Sequence, residues 1–400
     1  MLLWIAFALN YIDRQIAYSI FPVLRKQLGF SELQLGLVGA VFLWSYGAAL
    51  VFTGRAADRL NRRALILVSL LLWSGATAGS GLSTSPVLFL VWRSVVGVSE
   101  AIYYPAASGL LATLHAAGTR STALAVHQSA QLAGIVAGGW YGGWAADHIG
   151  WRQGLLAVAL VGVGYAAILA FALQNLRSGT TESRAQHSTE AILLESRCFV
   201  ALAIAFIAFC GMLWMIYAWL PSFLYERHGL TLAESGLVAT AYLQISSAVG
   251  LLGAGVAADR LLGMVPAVRF YIAAAGLLLS PWFCIGLFSA STVTGVELCS
   301  IAFGVTAGLF QANIFAAAYD VIPADSYGTA TGWLNVCGSI GGGVAVLLAG
   351  SLRPAVDVPS LSRYASMFTL CTGAALVSIV AIRFSSEQRI IESRLTQTPL

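Results

Sequence analysis

Charge is scarce in this 400-residue chain: Asp, Glu, Lys and Arg make up 10% of it, while 58% of the residues are hydrophobic. Soluble domains carry about 25% charged residues, so a water-soluble globular fold is excluded. Lysine is nearly absent, Lys26 standing alone, which removes the phosphate-gripping lysine of a P-loop. There is no HExxH pair. The six cysteines show no CxxC spacing, so neither a zinc site nor a disulfide framework is indicated. Gly162-Val163-Gly164-x-x-Ala167 imitates a dinucleotide fingerprint, but it lies within an apolar run, follows no strand and reads as helix packing. No short apolar run with a basic lead marks a cleavable leader. The net charge of +4 comes from arginines in short loops rather than from a basic face, so nucleic acid is not an expected partner. Neither an enzyme nor a resident metal or cofactor is expected.

What the chain has is length in its apolar runs. A spanning helix needs about 20 such residues, and backbone groups in hydrocarbon must pair within their own segment. Runs near 2–24, 33–53, 64–83, 86–114, 121–145 and 153–173 predict six helices. A second six lie near 198–224, 233–257, 266–289, 293–319, 328–351 and 363–383. The expected fold is all-α: twelve transmembrane helices in two pseudo-symmetric six-helix bundles. The first bundle covers 1–173 and the second 198–385, joined by a polar linker at 174–197 and followed by a polar tail at 386–400. With both termini on one side, 13 basic residues fall in loops on that side and 6 on the other, which predicts cytoplasmic termini in a plasma (inner) membrane.

Two short patterns recur. Gly29-Phe30-Ser31 followed by Gly36-Leu37-Val38 returns 200 residues later as Gly229-Leu230-Thr231 and Gly236-Leu237-Val238. Gly54-x-x-x-Asp58-Arg59 returns as Gly255-x-x-x-Asp259-Arg260. Two matches in nearly one register indicate a duplicated unit, and substrate sites in such proteins lie at the repeat interface near the midplane.

The stretch Gly54-Arg55-Ala56-Ala57-Asp58-Arg59-Leu60-Asn61-Arg62-Arg63 resembles the signature loop between helices 2 and 3 of the major facilitator superfamily, and the resemblance extends over essentially the whole chain. Asn10-Tyr11-x-Asp13-Arg14, Arg93-x-x-x-Gly97-x-x-Glu100-Ala101-x-x-x-Pro105 and Gly150-Trp151-Arg152 resemble the anion:cation symporter family, which includes sialin and bacterial hexuronate and galactonate permeases. Spinster-type lysolipid transporters share the first two elements, but their proline lies further along. The resemblance implies that Gly54, Asp58, Arg59 and Arg62 act as a conformational switch, with Asp58 near the start of helix 11 around Gly328.

The intramembrane polar residues carry the chemistry. An ionised side chain at mid-bilayer costs about 2.5–3.5 kcal/mol even on the lenient scale, and Asp13 and Arg14 sit inside the first apolar run. Arg93, Gly97, Glu100 and Tyr104 fall on one helical face, adding a second pair of opposite charges. Two structural salt bridges would explain all four. The functional alternative assigns proton coupling to Asp13 and Glu100, since a carboxyl held out of water can take up and release a proton. Arg14 and Arg93 are then the candidates for contacting an anion, their planar forks matching a carboxylate, or for controlling the two carboxyls. Tyr46, Tyr104, His127, Gln128, Gln131, Gln311 and Asn335 are further candidate substrate contacts, and Asn313 reads as an inter-helix bond. The small residues from Gly134 to Gly143 read as a close-packing helix face.

The expected function is proton-coupled symport of a small organic anion, such as a sugar acid, by a monomer working through alternating access in the lipid bilayer. Two alternatives stay open: a Spinster-like lysolipid or amphiphile transporter, and a non-transporting sensor on the same fold.

Overall fold

The computed structural model describes residues 1–174, 193, 195–265, 267–323, 326–353 and 358–396. Thirteen helices and no strand occur among the described residues. They are α1 (Leu2–Ser19), α2 (Phe21–Leu28), α3 (Glu32–Arg59), α4 (Arg62–Gly81), α5 (Pro86–Leu114), α6 (Ala117–His148) and α7 (Trp151–Ala172). After them come α8 (Arg197–His228), α9 (Leu232–Leu261), α10 (Val268–Ser289), α11 (Val293–Tyr319), α12 (Tyr327–Leu352) and α13 (Val358–Thr396). Most of the expected linker lies outside the described residues.

The first apolar run, read above as one helix over 2–24, is broken in two. Pro22 has no N–H to offer the carbonyl of Tyr18, so α1 ends at Ser19 and α2 begins with proline in its first turn. At the other end α13 continues as helix to Thr396, through most of the stretch read as a polar tail. Ten helices among the described residues are long and apolar enough to cross a membrane; α1 and α6 are not among them. Those two are diluted by Asn10, Asp13, Arg14 and Gln15, and by His127, Gln128 and Gln131.

The repeat folds into matching turns. Gly29 and Gly229 end α2 and α8 in the left-handed region, with φ of 68° and 66°, where a Cβ is disfavoured. Ser31 and Thr231 then open α3 and α9 as N-caps, each closing a capping box with Gln34 or Glu234. Other starts are capped by Asn61, Ser85, Ser196 and Thr292. The loop arginines meet helix ends as well. Arg63 donates to the carbonyls of Ala170 and Gln174 at 2.8 and 2.9 Å, and Arg152 to those of Ser83 and Gly81 at 2.6 and 3.1 Å, where a cation meets the negative end of a helix.

Helices α1–α7 pack mainly among themselves, as do α8–α13. The two groups meet along a seam where α3 lies against α12, α6 against α9 and α1 against α8. Helices α3 and α9, which carry the two repeat copies, thus each rest on a glycine-bearing helix of the other group. A Cβ on Gly350 would lie 2.5 Å from the carbonyl oxygen of Glu32, and one on Gly139 would lie 2.7 Å from that of Gly236. On its other face α6 sets Gly134, Gly138 and Gly142 against Ala8, Ile12 and Ile16 of α1, so its small residues serve two packing faces.

The two approaches across the seam, Gly350 on Glu32 and Gly139 on Gly236, lie towards one end of it. At the opposite ends of the same helices Phe52 is 68% exposed and Trp333 43% exposed. There a Cβ on Gly54, Gly255, Gly328 or Gly332 would meet nothing within 4 Å. The seam is therefore closed at one end and parted at the other.

Candidate functional site

The four intramembrane charges are brought together in one cluster on α1 and α5, but the pairing is crossed. Arg14 Nε donates to Glu100 Oε2 at 2.6 Å, and Arg93 Nη1 lies 3.5 Å from Asp13 Oδ1. Consecutive residues on a helix point about 100° apart, so neighbours on α1 reach different partners on α5. All four side chains are almost wholly buried.

Aromatic rings surround the two cations. The Arg14 guanidinium carbon is 4.5 Å from the Tyr11 ring centre, 4.6 Å from that of Tyr46 and 5.1 Å from that of Phe42. Arg93 is 5.0 Å from the same Phe42 ring. Such contacts stabilise a cation most when water is excluded. Asp13 also accepts a hydrogen bond from Thr77 Oγ1 on α4. Several polar atoms of the cluster have no hydrogen-bond partner among the described residues: Arg93 Nε and Nη2, Glu100 Oε1 and both amide atoms of Asn10. Buried groups of this kind are usually satisfied by protein, water or ligand.

The remaining expected contacts divide. Tyr104 is half-buried, and its hydroxyl accepts from Gln128 Nε2 at 3.1 Å. His127 is buried and stacked on Phe7 with ring centres 4.6 Å apart; neither ring nitrogen is hydrogen-bonded among the described residues. Gln131 is half-buried on the same helix. Gln311 reaches Ser247 Oγ at 3.4 Å. Asn335 turns onto its own helix, donating to the Thr331 carbonyl at 2.8 Å, and Asn313 does the same to Leu309 at 3.1 Å rather than bridging helices. In the last turns of α3, Arg59 is exposed and Gly54 faces open space. Arg62 is buried and donates to the carbonyls of Ala57 and Gly109, each at 3.2 Å. The side chain of Asp58 lies outside the described residues.

Two layers cover the cluster towards the closed end. The first is aromatic and crosses the seam: Tyr18 against Trp214 at 6.3 Å and Phe21 against Trp219 at 5.4 Å. Gln15 Nε2 joins the same groups through the Tyr217 carbonyl at 3.2 Å. The second layer is a ring of four charges. Arg25 pairs with Glu32 at 2.7 Å and with Glu226 at 2.6 Å. Arg353 pairs with Glu32 at 3.0 Å and also with Glu226. Each carboxylate thus bridges both arginines, and two of the four pairs cross the seam. Beside the ring, Asp147 on α6 accepts from the backbone N–H of Ala233 in the first turn of α9, at 3.0 Å. Arg25 and Arg353 are two of the six basic loop residues on the side away from the termini, where the sequence marks them only as topology signals. The 200-residue spacing of the repeat, which places Arg25 and Glu226 in matching turns, was the signal for the ring.

Charged groups buried within long apolar helices, beneath a seam closed at one end, define a polytopic membrane transporter rather than an enzyme. The chain belongs to the Major Facilitator Superfamily, whose profile matches residues 3–346. It is 28% identical to the "Probable sulfoacetate transporter SauU" of Cupriavidus necator, over 86% of this chain and 84% of that one. It is 26% identical to the "Probable galactarate/D-glucarate transporter GudP" of Bacillus subtilis, over 85% and 81% of the two chains. In fold it is similar to a bacterial homolog of the human lysosomal transporter Spinster, in an inward-facing and unoccupied conformation. That match has a TM-score of 0.77 and 20% identity, covering 98% of this chain and 96% of the other.

Proposed function

We propose that this protein carries a small organic anion, a sugar acid or sulfonated acid, across the plasma membrane together with protons. Its twelve long helices, α1 and α3–α13, form two six-helix bundles, at 1–173 and 198–385, that rock about the seam in alternating access. Both termini and the 174–197 linker lie in the cytoplasm. The observation that carries this reading is the buried Arg14–Glu100 pair. A solute carboxylate that takes the Arg14 fork must displace Glu100, and a displaced carboxylate out of water is costly unless it is neutralised. The cluster sums to zero charge, so each negative charge the solute adds is balanced by one proton, on Glu100 or Asp13. Arg14, flanked by Tyr11 and Tyr46, makes the first substrate contact; Arg93, held against Asp13, is the second. Tyr104, Gln128, Gln131, His127, Gln311 and Asn335 line the path, and Gly54, Asp58, Arg59 and Arg62 govern closure of the parted end. The carboxylate and sulfonate substrates in the names of the two relatives support the solute class.

The test is uptake by purified protein in liposomes, offered sulfoacetate, glucarate, galactonate and a lysolipid with imposed pH or sodium gradients. Accumulation of one of the acids should collapse when a protonophore is added. Sodium-driven accumulation would reject proton coupling, and movement of the lysolipid alone would reject the solute class.

A further inference from the structure

A groove of about 420 Å³ lies on the flank of the second helix group, between α8, α12 and α13. Its floor is made of small residues, among them Ala208, Gly211 and Ala345, and its rim of large ones such as Leu348 and Phe368. Among the described lining residues Tyr364 alone carries a side-chain oxygen or nitrogen. The rim residues Leu348 and Phe368 are half exposed and lie within helices apolar enough to span a membrane, so bilayer hydrocarbon is the medium that reaches the groove. From Ile340 to Leu352 it follows α12 for about 18 Å at 1.5 Å per residue. That is close to one leaflet of a hydrocarbon core about 30 Å thick.

The groove's ends differ in charge. At the end marked by Leu352, Leu361 and Tyr364, the neighbouring Arg363 is exposed and joins no ion pair among the described residues. This is the closed end of the seam, where a lipid headgroup would sit. We propose that the groove is a binding site for one acyl chain of a resident phospholipid, whose anionic headgroup meets Arg363.

Occupancy bears on the seam through α12. The face of this helix opposite the groove carries Gly343 and Gly350, which rest on Trp44 and on the carbonyl of Glu32 in α3. An empty groove leaves its lining without dispersion partners, whereas a chain lying in it backs α12 against α3. The site does not open onto the charged cluster, so it holds whether or not the transport reading above is right.

The direct test uses the unaltered chain. A phosphatidylglycerol with a diazirine on its acyl chain, added to delipidated protein in detergent, should label peptides from 340–368 ahead of the other helices. Native mass spectrometry should find one retained phosphatidylglycerol, held at least several-fold better than phosphatidylcholine. Arg363→Gln should erase that preference while leaving acyl labelling in place, and Val344→Trp, which fills the groove from its rim, should remove both. Labelling spread evenly over the helices, or a headgroup preference that survives Arg363→Gln, overturns the proposal.

Discussion

A Cβ added to Gly97 would stand 2.5 Å from the carbonyl oxygen of Phe42. Helix α5 therefore lies on α3 with no room for a methyl group, at the level where Phe42 touches both Arg14 and Arg93. A backbone carbonyl cannot rotate aside as a side chain can. Gly97→Ala is expected to cost about 1–3 kcal/mol by overpacking and to weaken substrate binding by displacing Phe42. Thermal melts and binding isotherms on monodisperse protein check this; an unchanged affinity would mean that the Phe42 contacts do not position the arginines.

Glu100→Gln imitates the protonated acid but has no proton to release. Uphill uptake should be lost while gradient-free counterflow persists. A variant that retains full uphill uptake would remove Glu100 from the coupling role.

Arg14→Ala should damage binding itself, because losing one side of a buried pair costs about 3–5 kcal/mol, part of which appears as lost affinity. Arg14→Lys should restore little, since an ammonium lacks the planar fork and stacks poorly between Tyr11 and Tyr46. If the pair is only a brace, Arg14→Ala and Glu100→Gln will lower folded yield together and leave the affinity of the surviving protein unchanged.

Thr77→Val keeps shape and removes the hydroxyl that bonds Asp13. A hydrogen bond to a charged group is worth about 1.5–3 kcal/mol, so the variant should shift the pH dependence of uptake, and Thr77→Ser should restore it. A pH profile that stays fixed would show that Asp13 does not exchange protons during transport.

The charge ring at the closed end is partly open to water. Raising salt from about 0.1 M to about 1 M shortens the screening length from about 10 Å to about 3 Å. Hydrogen exchange at the start of α3 and the end of α12 should then quicken. Glu226→Gln, which leaves Arg25 and Arg353 sharing Glu32, should do the same at low salt. Exchange that ignores both would remove the ring from closure.

Much of this was legible beforehand because the physical signals are local. Apolar run length marked the helices, and Gly29 and Gly229 marked matching turns. The charges at 13, 14, 93 and 100 stood out because hydrocarbon makes them costly. What stayed hidden depends on direction in space. Neighbouring letters suggest that Asp13 and Arg14 belong together, yet the helix sends them to different partners. Asn335 and Asn313 are polar letters in an apolar run, and each spends its donor on its own helix. Thr77 is an ordinary residue until a carboxylate from another helix arrives beside it.

The two fastenings at the closed end answer to different disturbances. The ring of Arg25, Glu32, Glu226 and Arg353 is built from side chains that salt and protons reach. The α6–α9 joint, where Gly139 faces Gly236 and Gly143 faces the carbonyl of Leu232, is built from main chain. Asp147 at its margin is titratable, but the glycine-to-carbonyl contacts themselves carry no charge, so salt and protons have no hold on those contacts. Only bulk does: a single methyl at Gly139 or Gly236 acts as a wedge, and leaves every charge in the protein where it was.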